Sequence, residues 1–123
     1  MLAPEAISQA PVVKAVEMLL TQAVKDRASD IHLEPQEKGL KVRYRIDGIL
    51  HEAVTLPPGV HNALISRMKI MANMNITEKR RSQDGQMSAT IGDKQIDFRV
   101  ATAETSYGEM MVIRVLDKSS SVL

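Results

Sequence analysis

Cysteine and tryptophan are absent from this chain of 123 residues, and two tyrosines and one phenylalanine supply all of its aromatic rings. Without cysteine, neither a disulfide framework nor a thiolate metal site can form, and a reducing, cytosolic compartment suits the chain. With Tyr44, Phe98 and Tyr107 as the whole aromatic inventory, the stacking platforms of RNA and single-strand readers are missing. A preponderance of one charge is lacking too: the formal net charge is +1, with both signs interspersed, so there is no broad cationic field for nucleic acid or lipid headgroups. Nucleic acid is therefore not an expected partner. No window approaches the run of about 18 apolar residues that spans a bilayer. The first residues also lack the charged and apolar segments of a signal peptide, so any membrane contact is expected to be peripheral.

What is present is an ordinary globular composition, 44% hydrophobic, enough for a single soluble domain with a core. From Pro11 to about Ala28, Val12, Val16, Leu19 and Ala23, with Val13, Leu20 and Val24 beside them, recur at helical spacing. Ile31 and Leu33 then alternate with Asp30, His32 and Glu34 as a half-exposed strand ending at Pro35. A turn through Gly39 leads to a second strand, and Asp47-Gly48 is a hairpin signal that leads to a third from Ile49 to about Val54. After Pro57, Pro58 and Gly59, the spacing of Val60, Leu64, Met68 and Met71 predicts a second amphipathic helix ending near Asn73 to Asn75. Met68, Met71 and Met74 could line an adaptable docking groove, but core packing is the expected role. Thr77 to Gly85, TEKRRSQDG, reads as a surface loop. Strands follow over Gln86 to Ile91, around Ile96, Phe98 and Val100, and from Glu109 to Leu116. Helix, three strands, helix, three strands makes an α+β domain the simplest arrangement: an antiparallel sheet of about six strands, PAS-like, with two helices on one face.

Val42 to Gly48, VRYRIDG, carries the main candidate chemistry. Arg43 and Arg45 alternate with Val42, Tyr44 and Ile46, so one face of that strand is buried while two guanidinium groups project from the other. Such a pair suits a phosphate, a carboxylate or a partner protein. Arg45, the Arg80-Arg81 pair and Arg99 lie on a strand, a loop and another strand that folding could bring to one rim. Asp30, His32 and Glu34 could in principle present three metal ligands, but cross-strand pairing of the acids with Arg43 and Arg45 is the favoured reading, so no metal site is expected. His51 and His61 have no serine or carboxylate at triad spacing and are expected at the surface. No GxxxxGK(S/T) phosphate loop occurs, so the chain alone should not hydrolyse a nucleotide.

ASDIHLEP at Ala28 to Pro35, VRYRIDG, ISRMKIMANMNITEKRRSQDGQ at Ile65 to Gln86, DFRVAT at Asp97 to Thr102 and VIRVLDK at Val112 to Lys118 occur in this order. Together they resemble the secretion ATPase superfamily, and more narrowly the domain that precedes the motor in type II secretion and type IV pilus assembly ATPases. The resemblance implies a linker over 1–10, a PAS-like domain over 11–117 that precedes a RecA-like motor, and the start of an interdomain linker over 118–123. It also implies a homohexameric ring at the cytoplasmic side of the inner membrane, with ATP and magnesium bound in the full-length protein. Expected partners are its own and neighbouring motor domains and the secretion or pilus platform proteins. Family members use arginines of this domain to approach the γ-phosphate, which by position implicates Arg45, Arg80 and Arg99 first, then Arg81 and Arg43. Two departures are Ser82, where many relatives carry proline, and Gln86, where arginine is common. The alternatives are a purely structural subunit-docking module and a PAS-like ligand sensor.

Overall fold

The computed structural model describes residues 2–118. Its elements are α1 (Pro4–Ser8), α2 (Val12–Lys25), β1 (Asp30–Gln36), β2 (Gly39–Ile46), β3 (Ile49–Leu56), α3 (His61–Met71), β4 (Asp84–Ile91), β5 (Lys94–Thr105) and β6 (Gly108–Asp117). The strands form one six-stranded sheet in the order β3-β2-β1-β6-β5-β4, every neighbouring pair antiparallel. Each half of the chain folds its strands as a meander, and the halves meet where β1 pairs with β6.

Alternation of side chains assigns the two faces. Ile31 and Leu33 of β1, Val42 and Tyr44 of β2, Phe98 and Val100 of β5, and Met111 and Ile113 of β6 are buried on one face. Against them lie Val16, Leu19, Leu20 and Ala23 of α2 and Leu64, Ile65 and Met68 of α3. The α+β arrangement with two principal helices packed on the sheet agrees with the expected fold. Met68 and Met74 are core residues and Met71 packs against the core, as expected from their spacing.

Local chemistry explains the boundaries. Asp47 (φ 52) and Gly48 (φ 82) both have positive φ, as a type I′ turn between β2 and β3 requires. Helices α2 and α3 end in the same way. After α2, the Arg27 amide donates to Val24 O and the Ala28 amide to Ala23 O, with Arg27 left-handed at φ 57. After α3, Asn73 donates to Ile70 O and Met74 to Lys69 O, with Asn73 at φ 59. Both are Schellman caps, which satisfy the last carbonyls and stop the helix. The second cap ends α3 at Met71, a turn before the expected boundary. The first ten residues, read as a linker, include the short helix α1, whose Ile7 is buried in the core.

Candidate functional site

The helix-free face of the sheet carries the candidate residues. Pairing places Leu50 opposite Arg45, Arg45 opposite Asp30, Asp30 opposite Arg114, Arg114 opposite Arg99 and Arg99 opposite Gln86. Residues directly opposed in antiparallel strands share a face, so these six form one row across the whole sheet. Three arginines and one carboxylate stand in its four central places. Two of the predicted residues, Arg45 and Arg99, are thereby aligned, and Arg114 joins them. Sequence reasoning missed Arg114; its alternation with Ile113 and Val115 in VIRVLDK was the available signal.

Asp30 is shared between two arginines. Its Oδ2 lies 3.5 Å from Arg45 Nε and its Oδ1 lies 3.7 Å from Arg114 Nε. Arg45 also donates from Nη1 to the Gly48 carbonyl at 3.0 Å, which holds its stem against the hairpin turn. Arg99 is exposed and forms no ion pair among the described residues. Its charge does help to hold the Asp97 carboxyl below the usual range, behind the larger effects of hydrogen bonds from Ser88 and Lys118. A shallow cavity of about 370 Å³ opens among Asp30, Asp84, Arg99 and Arg114.

Arg43, one row further along, is differently placed. Its Nε and Nη2 donate to the two carboxylate oxygens of Glu34 at 2.6 and 2.8 Å. Those hydrogen bonds hold the Glu34 carboxyl below its ordinary value. Desolvation holds the neighbouring His32 imidazole below its ordinary value, which favours the neutral ring at pH 7. Pairing of Asp30 and Glu34 with Arg45 and Arg43 is therefore what the structure shows for this acidic strand.

Arg80 and Arg81 stand apart from the row, on the loop between α3 and β4, and both are exposed. Their backbone amides donate to Glu78 Oε1 at 2.9 and 3.1 Å. These two bonds are the main cause of a lowered Glu78 pKa. Gln83 closes the loop: its side chain accepts from the Asn75 amide and donates to the Asn75 carbonyl, each at 2.9 Å. Below the loop lies an ion pair that sequence reasoning also missed, Lys69 Nζ to Glu109 Oε1 at 2.6 Å, with both side chains buried. Lys69 stands four residues after Ile65 on the apolar face of α3, and that position was the signal. His51 is exposed as expected, but His61 departs from the expectation for a surface residue. It is half-buried, and its Nε2 lies 2.7 Å from the Glu109 carbonyl because α3 begins against the β5–β6 turn.

Fold and face together define a small α+β module with a row of arginines on an open sheet. A family profile described as Type II/IV secretion system protein matches residues 5–123, and the chain belongs to that family. It is 49% identical over 117 residues to the type IV pilus assembly ATPase PilB of Myxococcus xanthus, covering 94% of this chain and 21% of the relative. It is 46% identical over 111 residues to the type II secretion system protein E of Klebsiella pneumoniae, covering 90% of this chain and 22% of the relative. The chain thus spans about a fifth of the length of these relatives. The crystal structure of the pilus retraction motor PilT with bound ADP contains a similar fold, with a TM-score of 0.56 at 22% identity over 80% of this chain and 28% of that one.

The donor set of the open face fits phosphate oxygens, because guanidinium forks match them geometrically. Among the described residues no cluster of three or more His, Cys, Asp or Glu could hold a metal ion. No described helix is long and apolar enough to cross a membrane.

Proposed function

We propose that this domain serves a secretion or pilus-assembly ATPase by presenting arginines of its open face and loop to ATP phosphates held by RecA-like motor domains of a homohexamer. The aligned row of Arg45, Arg114 and Arg99 carries this reading: it is a preformed cationic strip with fewer acids than guanidinium groups. Arg99, Arg80 and Arg81 are exposed for such a contact, whereas Arg45 must share Asp30 and Arg43 must leave Glu34. The motor supplies the phosphate loop and the magnesium that this chain's residues do not provide. ATP so bound supplies the triphosphate charge, and the arginines neutralise it and orient the domain against the motor. Departure of the cleaved phosphate after hydrolysis releases the arginines, so the domain shifts relative to the motor and moves the inner-membrane platform. The domain stays on the cytoplasmic side of the membrane.

Docking without phosphate contact is the second reading, favoured by the mixed charge of the cavity, where Asp30 and Asp84 stand beside Arg99 and Arg114. Steady-state ATP turnover and size-exclusion mass of the longer ATPase separate the two for Arg45→Ala and Arg99→Ala. Phosphate contact predicts an intact hexamer with turnover lowered on the order of tenfold or more. Docking predicts loss of the hexamer, and an unchanged enzyme in both respects would sink both readings.

A further inference from the structure

The loop that carries Arg80 and Arg81 is tied to the core at two places: at its end the Gln83 backbone pairs with the buried Thr102, and at its start a buried lysine holds it. Lys69 is 1% exposed and its ammonium makes two short contacts, to Glu109 Oε1 at 2.6 Å and to the Glu78 carbonyl at 2.7 Å. Its own carbonyl accepts from the Met74 amide at 2.8 Å in the cap of α3. The same residue therefore grips the chain on both sides of the turn that starts the loop. Glu78, held through its carbonyl, turns its carboxylate back to accept from the Arg80 and Arg81 amides. A continuous relay results: Glu109 fixes the ammonium, the ammonium holds the Glu78 carbonyl at 2.7 Å with a longer bond of 3.3 Å from Gln83 Nε2 beside it, and Glu78 fixes the backbone from which two exposed guanidinium groups project.

A buried lysine with no such task is costly, because its charge must be stripped of water and an apolar side chain of similar volume would pack as well. Among the described residues Glu109 Oε2 is buried without a hydrogen-bond partner, so the pair is not optimised for satisfying its own polar atoms. The second contact of the Lys69 ammonium, to Glu78 O, leads out of the core to the loop.

We infer that Lys69 is a positioning residue, a buried post that sets the backbone of Arg80 and Arg81 and thereby aims their side chains. That the aimed groups meet phosphate rests on the function proposed above; that Lys69 sets the loop does not.

The test is amide hydrogen exchange, read residue by residue by NMR. Glu78→Ala removes the accepting carboxylate of a half-buried residue and provides the reference for released Arg80 and Arg81 amides. Lys69→Met with Glu109→Leu replaces the buried pair by apolar side chains, leaving neither charge stranded. The expected result is exchange at Arg80 and Arg81 accelerated at least tenfold, toward the Glu78→Ala reference, with Ile31 and Leu33 of β1 unchanged. Unchanged loop amides would overturn the inference. So would equal acceleration in the loop and β1, or failure to fold, since the pair would then support the whole domain rather than the loop. Turnover of the longer ATPase carrying the same two substitutions is a separate reading. Released loop amides with normal turnover would keep Lys69 as the post and remove the phosphate role from Arg80 and Arg81.

Discussion

Arg43 and Arg45 stand two positions apart on one strand and face the same way, yet they are not equivalent. Arg43 spends two donors on Glu34, and Arg45 makes one longer contact to an aspartate that it shares with Arg114. Only the second arrangement yields easily to a competing anion. For the first, Glu34→Gln should cost roughly 0.2–1 kcal/mol in urea denaturation at pH 7, the range for a cross-strand charge pair. The pH dependence has a definite sign. Arg43 holds the folded-state Glu34 pKa below its ordinary 4.5, so the contribution is complete above that value and is lost as pH falls through the lowered one. Wild type and Glu34→Gln should therefore converge in stability in acid; a difference that grows on acidification would refute the pairing. Glu78 follows the same sign, so protection of the Arg80 and Arg81 amides should fade as acid titrates its carboxylate.

At the scale of elements, two positions should respond to substitution in opposite directions. A Cβ on Gly85 would stand 2.5 Å from the Ala72 carbonyl oxygen and 3.1 Å from the Ala72 Cβ, where β4 passes beneath the end of α3. Gly85→Ala should push the two apart and cost about 1–3 kcal/mol, as overpacking usually does. Arg27, by contrast, occupies the left-handed position of the α2 cap that glycine fills without strain. Arg27→Gly should raise stability by roughly 0.5–1 kcal/mol, visible as a higher thermal midpoint; a lower one would mean that the Arg27 side chain contributes more than its backbone costs. Such elements were legible in the sequence because their signals are local. Helical spacing marked α2 and α3, and Asp47-Gly48 marked the hairpin. That Arg45 and Arg99 could reach one rim, that Arg114 faces outward and that Lys69 lies on an apolar helix face had local signals, but the row that aligns the three arginines and the pairing of Lys69 with Glu109 were not legible, because strand order and register decide them. No local pattern reports which strand lies beside β1. Helix α1 was overlooked because five residues with one buried side chain are too short for a periodicity to emerge.

On the scale of the whole molecule, the junction of β1 with β6 decides whether two meanders become one sheet. Ile31 faces Ile113 and Leu33 faces Met111 there, all four fully buried. Ile113→Ala should cost about 2–5 kcal/mol, the usual range for a large-to-small change in a packed core. Probes in β2 and β5 should still unfold together; separate transitions would show that the halves are independent folding units.

The place of β6 has a mechanical consequence. This strand is flanked on one side by β1 and on the other by β5, with which it is in register from Ile96 opposite Asp117 to Thr105 opposite Gly108. Antiparallel hydrogen bonds run perpendicular to their strands. A load applied to β6 along its own axis therefore strains both ladders in shear at once, and their bonds must yield together instead of peeling one by one. Under tension the domain would behave as a stiff lever, passing on displacement with little stretching of its own.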